Sequence, residues 1–395
     1  MRKLRIGIWL SDDLTPESGG VYGYYTNLVN SLNQYPFKNA GIIFLSDKKI
    51  KSNDFDNKII NWRPRRRVTK IILNGLKKMN PIFKGLRKKI EETNHKHAQK
   101  LKNELYQYAD VIYYPAQNCI YPDFPYIYTL WDLGHITSYA FPELSMNEIF
   151  EKRKNHNDSF PRKALMVFAE SETGKKDCEQ YLNINKNRIK VVPIFSSEIT
   201  DSKCVATKPT KIEEGDFFIH YPAQYWAHKN HYNLLLAMLS VIKTFPKIKL
   251  VLTGSDKGNK EHVLKTINEL GLKENIMDLD FVSLKELRWL YENSQGLVMP
   301  TLLGPVNMPL LEAAELGCPV ACTNLSGHIE QLGDYGYYFN GLDPDDIAKQ
   351  IILMINDKKN GITKKYNNRF NISNAMKAID EAFGELKQIR FCWGK

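Results

Sequence analysis

Nowhere in its 395 residues does the chain hold a run of about 18 apolar residues, so nothing in it reads as a membrane span. Met1 to Leu10 is a short basic start running into an apolar strand. It lacks a long apolar region and a small-residue cleavage site, so it does not read as a signal peptide. Cysteine is sparse. Cys119, Cys178, Cys204, Cys318, Cys322 and Cys392 form no Cys-x-x-Cys pair, and no second pair or histidine stands at zinc spacing from Cys318 and Cys322. They read as reduced structural thiols of a cytosolic protein. Repeats and low-complexity tracts are missing. So is an Asp-x-Asp at a strand end: Asp54 and Asp56 lie in a basic segment, and Asp343-Pro344-Asp345-Asp346 reads as a loop entering a helix. No divalent metal and no cofactor are expected to be essential.

What is present is ordinary globular material, 43% hydrophobic and 25% charged. At about 100–200 residues per domain the length suggests two domains, each with its own core. The net charge of +11 is unevenly placed. Residues 47 to 104 hold 18 Lys and Arg against 6 Asp and Glu, so this segment alone accounts for the excess. Its basic stretch Arg63 to Lys89 interleaves charge with Ile71, Ile72, Leu73, Leu76, Ile82, Phe83 and Leu86. That pattern suits a surface that meets anionic lipid, the alternative being a solvated basic face. Nucleic acid is not expected as a partner, because no recognition motif accompanies the charge.

Short runs rich in Ile, Val, Tyr and Phe alternate with amphipathic stretches. The first half has Leu4–Leu10, Gly41–Leu45, Val111–Tyr114, Tyr126–Leu130, Leu165–Ala169 and Ile189–Pro193. The second has Phe217–Tyr221, Lys249–Thr253, Gly296–Met299, Pro319–Thr323 and Tyr337–Phe339. Helical patterns fall at Val21–Leu32, Tyr232–Thr244, Lys260–Leu270, Ser283–Asn293, Met308–Leu316 and Asn371–Gln388. Continuous apolar strands separated by helices predict an α/β protein with parallel sheets covered on both faces. Phe195 to Gly215, rich in Ser, Thr, Lys and Glu, marks a boundary. The expectation is a doubly wound domain over 1–200, a second over 212–365 and a helical segment over 366–395. Ligands of open α/β sheets bind beyond the carboxyl ends of the strands, so two facing sheets would share one cleft.

Five stretches stand at such strand ends. Ser18-Gly19-Gly20 precedes a helix, where backbone N–H groups can approach a phosphate. Trp131-Asp132 closes a strand, with His135 three residues on; a histidine there can bond a sugar hydroxyl or exchange a proton. In HYPAQYWAHKN, His220 to Asn230, Lys229 lies between a strand end and a helix start, placed to neutralise a diphosphate. Thr253-Gly254-Ser255 are small residues that permit close approach. In the loop from Met299, Asn307 precedes a helix expected to begin near Pro309, with Glu312 in its first turn. A carboxylate there can accept two vicinal ribose hydroxyls. Each stretch alone also has a bland reading as a turn, cap or solvated charge; their joint order does not.

Together the stretches resemble the family-four retaining glycosyltransferases of GT-B fold, two Rossmann-like domains facing across a cleft. The resemblance covers about residues 4 to 355. It rests on Trp131 to His135, His228 to His231, Thr253 to Gly258 and Gly304 to Ala313, the pattern of a subgroup that builds bacterial surface polysaccharides. It implies a sugar moved with retention from a GDP-, UDP- or dTDP-linked donor to a glycan or lipid-linked glycan, in the cytoplasm or at the inner face of the membrane. It implies a donor diphosphate on Lys229, ribose on Glu312, and phosphate and sugar on Val306, Asn307, Met308 and Pro309. Gly19, Gly20, Gln224, Gly254 and Ser255 complete the donor side, with Asp132 and His135 toward the acceptor. Two positions depart from the pattern. Gly304 stands where the family has the first glutamate of Glu-x7-Glu, and Gln224 stands where an arginine is usual. A non-catalytic scaffold of the same fold, favoured by those two departures, and a sugar-nucleotide 2-epimerase are the alternative readings.

Overall fold

A computed structural model describes residues 3–11, 20–48, 57–62, 96, 99–138 and 140–393. Gly19, the Asp54–Asp56 pair and the basic stretch Arg63 to Lys89 lie outside the described residues. The first half runs β1 (Leu4–Trp9), α1 (Gly20–Gln34), β2 (Ala40–Ser46), β3 (Ile59–Asn61), β4 (Val111–Tyr114) and β5 (Tyr126–Leu130). It continues through α2 (Gly134–Thr137), α3 (Pro142–Ser145), α4 (Ile149–Lys163), β6 (Met166–Ala169), α5 (Glu172–Leu182) and β7 (Ile189–Val191). The second runs β8 (Phe218–Pro222), α6 (His231–Thr244), β9 (Lys249–Thr253), α7 (Lys260–Glu269), β10 (Ile276–Asp278), α8 (Leu284–Asn293) and β11 (Leu297–Met299). It ends with α9 (Met308–Glu315), β12 (Val320–Thr323), α10 (Ser326–Leu332), β13 (Gly336–Phe339), α11 (Pro344–Lys359) and α12 (Ile372–Arg390).

The strands form two sheets, ordered β3-β2-β1-β4-β5-β6-β7 and β10-β9-β8-β11-β12-β13. Every recorded pairing is parallel, from Leu4 opposite Ala40 in the first sheet to Thr323 opposite Phe339 in the second. Both orders are doubly wound. The chain turns back at the β1–β4 junction in one sheet and at β8–β11 in the other, and there the loops diverge and leave a crevice. Burial explains the apolar runs: every residue of β4, β5, β6 and β12 is buried. The strands not anticipated from sequence are β3 and β10, three-residue edge strands that are only partly covered.

Helix ends follow local chemistry. Ser283 and Glu286 form a reciprocal cap at α8. Asp343 accepts from the backbone N–H groups of Asp345 and Asp346, so the acidic cluster there opens α11.

The last helix returns to the first sheet. Met376, Ile379, Phe383 and Leu386 of α12 share one buried core with Leu4, Ile6, Leu28 and Phe44 of the first half, and Met308 and Leu311 of α9 join the same core. The buried Asp380 carboxylate accepts from the backbone N–H groups of Lys38 and Asn39 at 3.3 and 3.1 Å. Lys190–Glu385 and Arg390–Asp110 add ion pairs at 2.6 and 3.2 Å. Replacing Phe383 by alanine empties fully buried space between α12 and the sheet. It is expected to destabilise the protein by about 3–5 kcal/mol, read from the shift of a urea midpoint at unchanged slope.

Candidate functional site

The carboxyl ends of both sheets line one cleft of about 880 Å³. Gly20, Trp131, Asp132 and Glu170 come from the first half; Gln224, Lys229, Gly254, Ser255 and the loop Gly304–Pro309 face them. Gly20 at the start of α1 lies against Met308 at the start of α9: a Cβ built on it would be 3.9 Å from the Met308 Cε. Two helix N-termini therefore converge in the cleft, each carrying partial positive charge.

Lys229 is the fixed cation of the second wall. It ends a short 3₁₀ turn, Ala227–Lys229, and Asn230 follows in the left-handed conformation, φ 58°, which allows α6 to begin at once. The ammonium donates to Asn307 Oδ1 at 3.3 Å. The orientation of Asn307 is set from behind. Its Nδ2 meets His328 Nε2 at 2.8 Å, and His328 Nδ1 meets the Thr323 carbonyl at 2.8 Å. A carbonyl only accepts, so Nδ1 carries the proton, Nε2 accepts from Asn307, and Oδ1 is turned to Lys229. Gln331 clamps the Asn307 backbone, accepting from its N–H at 2.9 Å and donating to its carbonyl at 3.1 Å. Burial lowers the Lys229 amine to about 8 and holds His328 neutral, at about 4.

Glu312 lines the cleft but is not in a first turn. Asn307 has extended backbone and occupies the cap position, so Met308 opens the helix and Glu312 is its fifth residue. That places the carboxylate deeper than expected, only 4% exposed. Ser197 donates to one of its oxygens, and the Tyr291 hydroxyl donates to the other at 3.0 Å. Burial raises its pKa against those two bonds. Gln224 accepts from the Trp226 indole N–H at 3.1 Å, and Ser255 follows the chain through Gly254. At Gly254, φ is +151° and a Cβ would sit 2.2 Å from the Ala223 carbonyl oxygen, so only glycine brings β9 this close to the β8 loop. Gly304 has φ +124°, and a Cβ would fall 2.8 Å from the Asn307 side chain. The backbone that lets Asn307 face Lys229 thus excludes a side chain at 304.

On the first wall Asp132 accepts from the Gly134 N–H at 2.7 Å and pairs with Arg153. The same turn carries His135 away. Its side chain is fully buried against Phe150, ring centroids 5.8 Å apart, and it does not line the cleft. Neither ring nitrogen has a partner among the described residues, and burial lowers the ring to about 4. The expectation of His135 as a group acting on substrate is therefore corrected: the imidazole packs beneath the cleft wall. The geometry brings together other residues that sequence reading passed over: Glu143, Glu170, Arg153, Tyr291, Ser197, His328 and Gln331. Glu170 directly follows β6 and is 6% exposed, and burial raises it well above the usual carboxylate range. Position alone could have flagged it, since it is the first residue after a predicted strand.

Residues 205–374 match the family model of glycosyl transferases group 1. O-antigen chain mannosyltransferase B of Escherichia coli is 32% identical over 131 residues, 33% of this chain and 34% of that protein. The match spans about a third of the length of the curated relatives. Among solved structures, a glycosyltransferase from Rickettsia africae superposes with TM-score 0.66 at 16% identity, over 98% of this chain and 99% of that one. HepE of Anabaena, solved with UDP and glucose, superposes with TM-score 0.59 at 16% identity over the same shares. The fold is GT-B.

The lowered Lys229 pKa fixes a sign. In the unfolded chain the amine titrates near its ordinary 10.5, in the folded protein near 8. The folded state thus disfavours the charge, fully below about pH 8 and progressively less up to the unfolded value. Lys229→Met is expected to raise the denaturant midpoint at neutral pH, and the gain should shrink as pH rises through that window.

Proposed function

From the match of residues 205–374 to the family model of glycosyl transferases group 1, we propose that the protein moves a sugar from a nucleoside-diphosphate sugar to an acceptor hydroxyl. The observation that carries this reading is the Lys229–Asn307 pair, held between two helix N-termini in the cleft. Charge grows on the departing diphosphate as the bond to the anomeric carbon breaks. A partly buried ammonium and preset N–H groups offset that charge without reorganising, and removing one such donor costs roughly 10²–10³ in rate. A bound diphosphate also offsets the desolvation that makes the Lys229 charge unfavourable.

Glu312 is read as the ribose-binding carboxylate. Its two present hydrogen bonds leave further lone pairs on each oxygen, so ribose hydroxyls join or displace Ser197. Gly254 and Ser255 leave room for the nucleotide, and Gln224 and Val306 to Pro309 line the sugar and phosphate space. Asp132, paired with Arg153, faces the acceptor side. The transfer is proposed to keep the anomeric configuration, by attack on the face from which the diphosphate leaves, and to need no divalent metal. UDP in HepE and the mannosyltransferase relative support a nucleotide-sugar donor and a surface polysaccharide as the product class. No described helix is long and apolar enough to cross a membrane. Residues 63–89 are proposed, from composition alone, to dock on anionic lipid at the inner face; no flotation with anionic vesicles would sink that part.

A thermal-shift screen against UDP, GDP, dTDP and CMP, with and without EDTA, tests the reading. One nucleotide family is expected to raise the melting temperature regardless of EDTA, and Lys229→Ala and Glu312→Ala should each abolish the shift. No shift with any nucleotide would favour a non-catalytic scaffold.

A further inference from the structure

We propose that His228 and Glu143 form a hydroxyl-binding pair across the cleft, in which His228 Nε2 takes the proton of the attacking acceptor hydroxyl and Glu143 positions the ring. The proposal rests on the transferase reading above and adds a residue and a step to it.

Glu143 belongs to α3 in the first half and His228 precedes Lys229 in the second, 85 residues apart. Both line the cleft. Glu143 Oε1 accepts from His228 Nδ1 at 2.7 Å and from the His228 backbone N–H at 2.9 Å. Two donors on one oxygen fix the carboxylate and, because it is ionised, place the ring proton on Nδ1. The ring lies between Phe141 and Trp226, with centroids 6.0 and 6.4 Å away. Nδ1 is spoken for, and among the described residues no group meets Nε2, which is also not among the sealed, unpartnered atoms. A neutral imidazole with its far nitrogen bonded to a carboxylate presents an unprotonated lone pair at the near one.

Location decides what that lone pair serves. A transfer that keeps configuration brings the hydroxyl in beside the departing phosphate. His228 adjoins the phosphate-side Lys229 and is clasped by a residue of the opposite wall, so it stands where donor and acceptor sides meet. The hydroxyl oxygen bonds to the anomeric carbon, and the electron pair of the breaking carbon–oxygen bond stays with the diphosphate. The proton passes to Nε2, and a phosphate oxygen of the leaving group then takes it from the imidazolium. Burial and Lys229 push the free ring down to about 4, while Glu143 and Asp132 pull the other way, and His231 faces it from α6. The ring is therefore neutral and able to accept at neutral pH.

The test uses the full chain, UDP-glucose and GDP-mannose as probes, and water as the accepting hydroxyl. His228→Gln and His228→Ala are expected to bind UDP or GDP within about two-fold of the parent, while hydrolysis of the probe falls at least ten-fold. Histidine ¹⁵N spectra should show His228 as the Nδ1–H tautomer in the parent, with that preference lost in Glu143→Ala. Unchanged hydrolysis in His228→Gln with nucleotide binding intact would overturn the proposal and leave the transferase reading standing, as would an Nε2–H tautomer in the parent. If the parent binds nucleotide without measurable hydrolysis, the tautomer alone decides. A parent that binds neither UDP nor GDP removes the transferase reading and this step with it.

Discussion

The cleft depends on the second half being tied back onto the first: α12 and the start of α9 both pack into the core of the first sheet. A parallel sheet puts all its strand ends, and so all its useful loops, on one edge. One such edge is open to solvent; two facing edges exclude water and let residues from distant parts of the chain act on one molecule. The helix Ile372–Arg390 follows the whole second half in sequence, yet buries its apolar face on β1, β2 and α1. Met308 and Leu311 enter the same core, so the helix that carries Asn307 at its cap is anchored on the first domain. The position of Lys229 relative to α1 is thereby a packing result rather than a loop preference.

Within that frame the site is built by polar relays rather than by isolated charges. Thr323 sets the tautomer of His328, His328 sets the flip of Asn307, and Asn307 holds Lys229. Glu143 does the same for His228 from the other wall. Each relay spends stability on keeping a polar group desolvated and aimed, which is what a site for a strongly charged ligand requires.

The legible part of the chain was the part governed by local periodicity. Central strands such as Val111–Tyr114 and Lys249–Thr253 are apolar on both faces, and the pattern marks them to the residue. Edge strands Ile59–Asn61 and Ile276–Asp278 are too short and too half-covered to leave a pattern. Lys229, Asn307 and Gly254 were visible because each sits at a strand or helix end. His135 misled because it stands only three positions after Asp132 in sequence, while the Asp132–Gly134 turn sends it under Phe150. His328, Gln331 and Glu143 left no signal, since their partners lie 21, 24 and 85 positions away and meet them only in space.

Gly304 carries a consequence for anyone redesigning the cleft. Its backbone lies at φ +124°, and Asn307 fills the space a side chain would need. A carboxylate at 304 would demand both a new backbone conformation and a displaced Asn307, the partner of Lys229. Position 304 and position 307 therefore form one unit of substitution: changing the first alone costs the second its place.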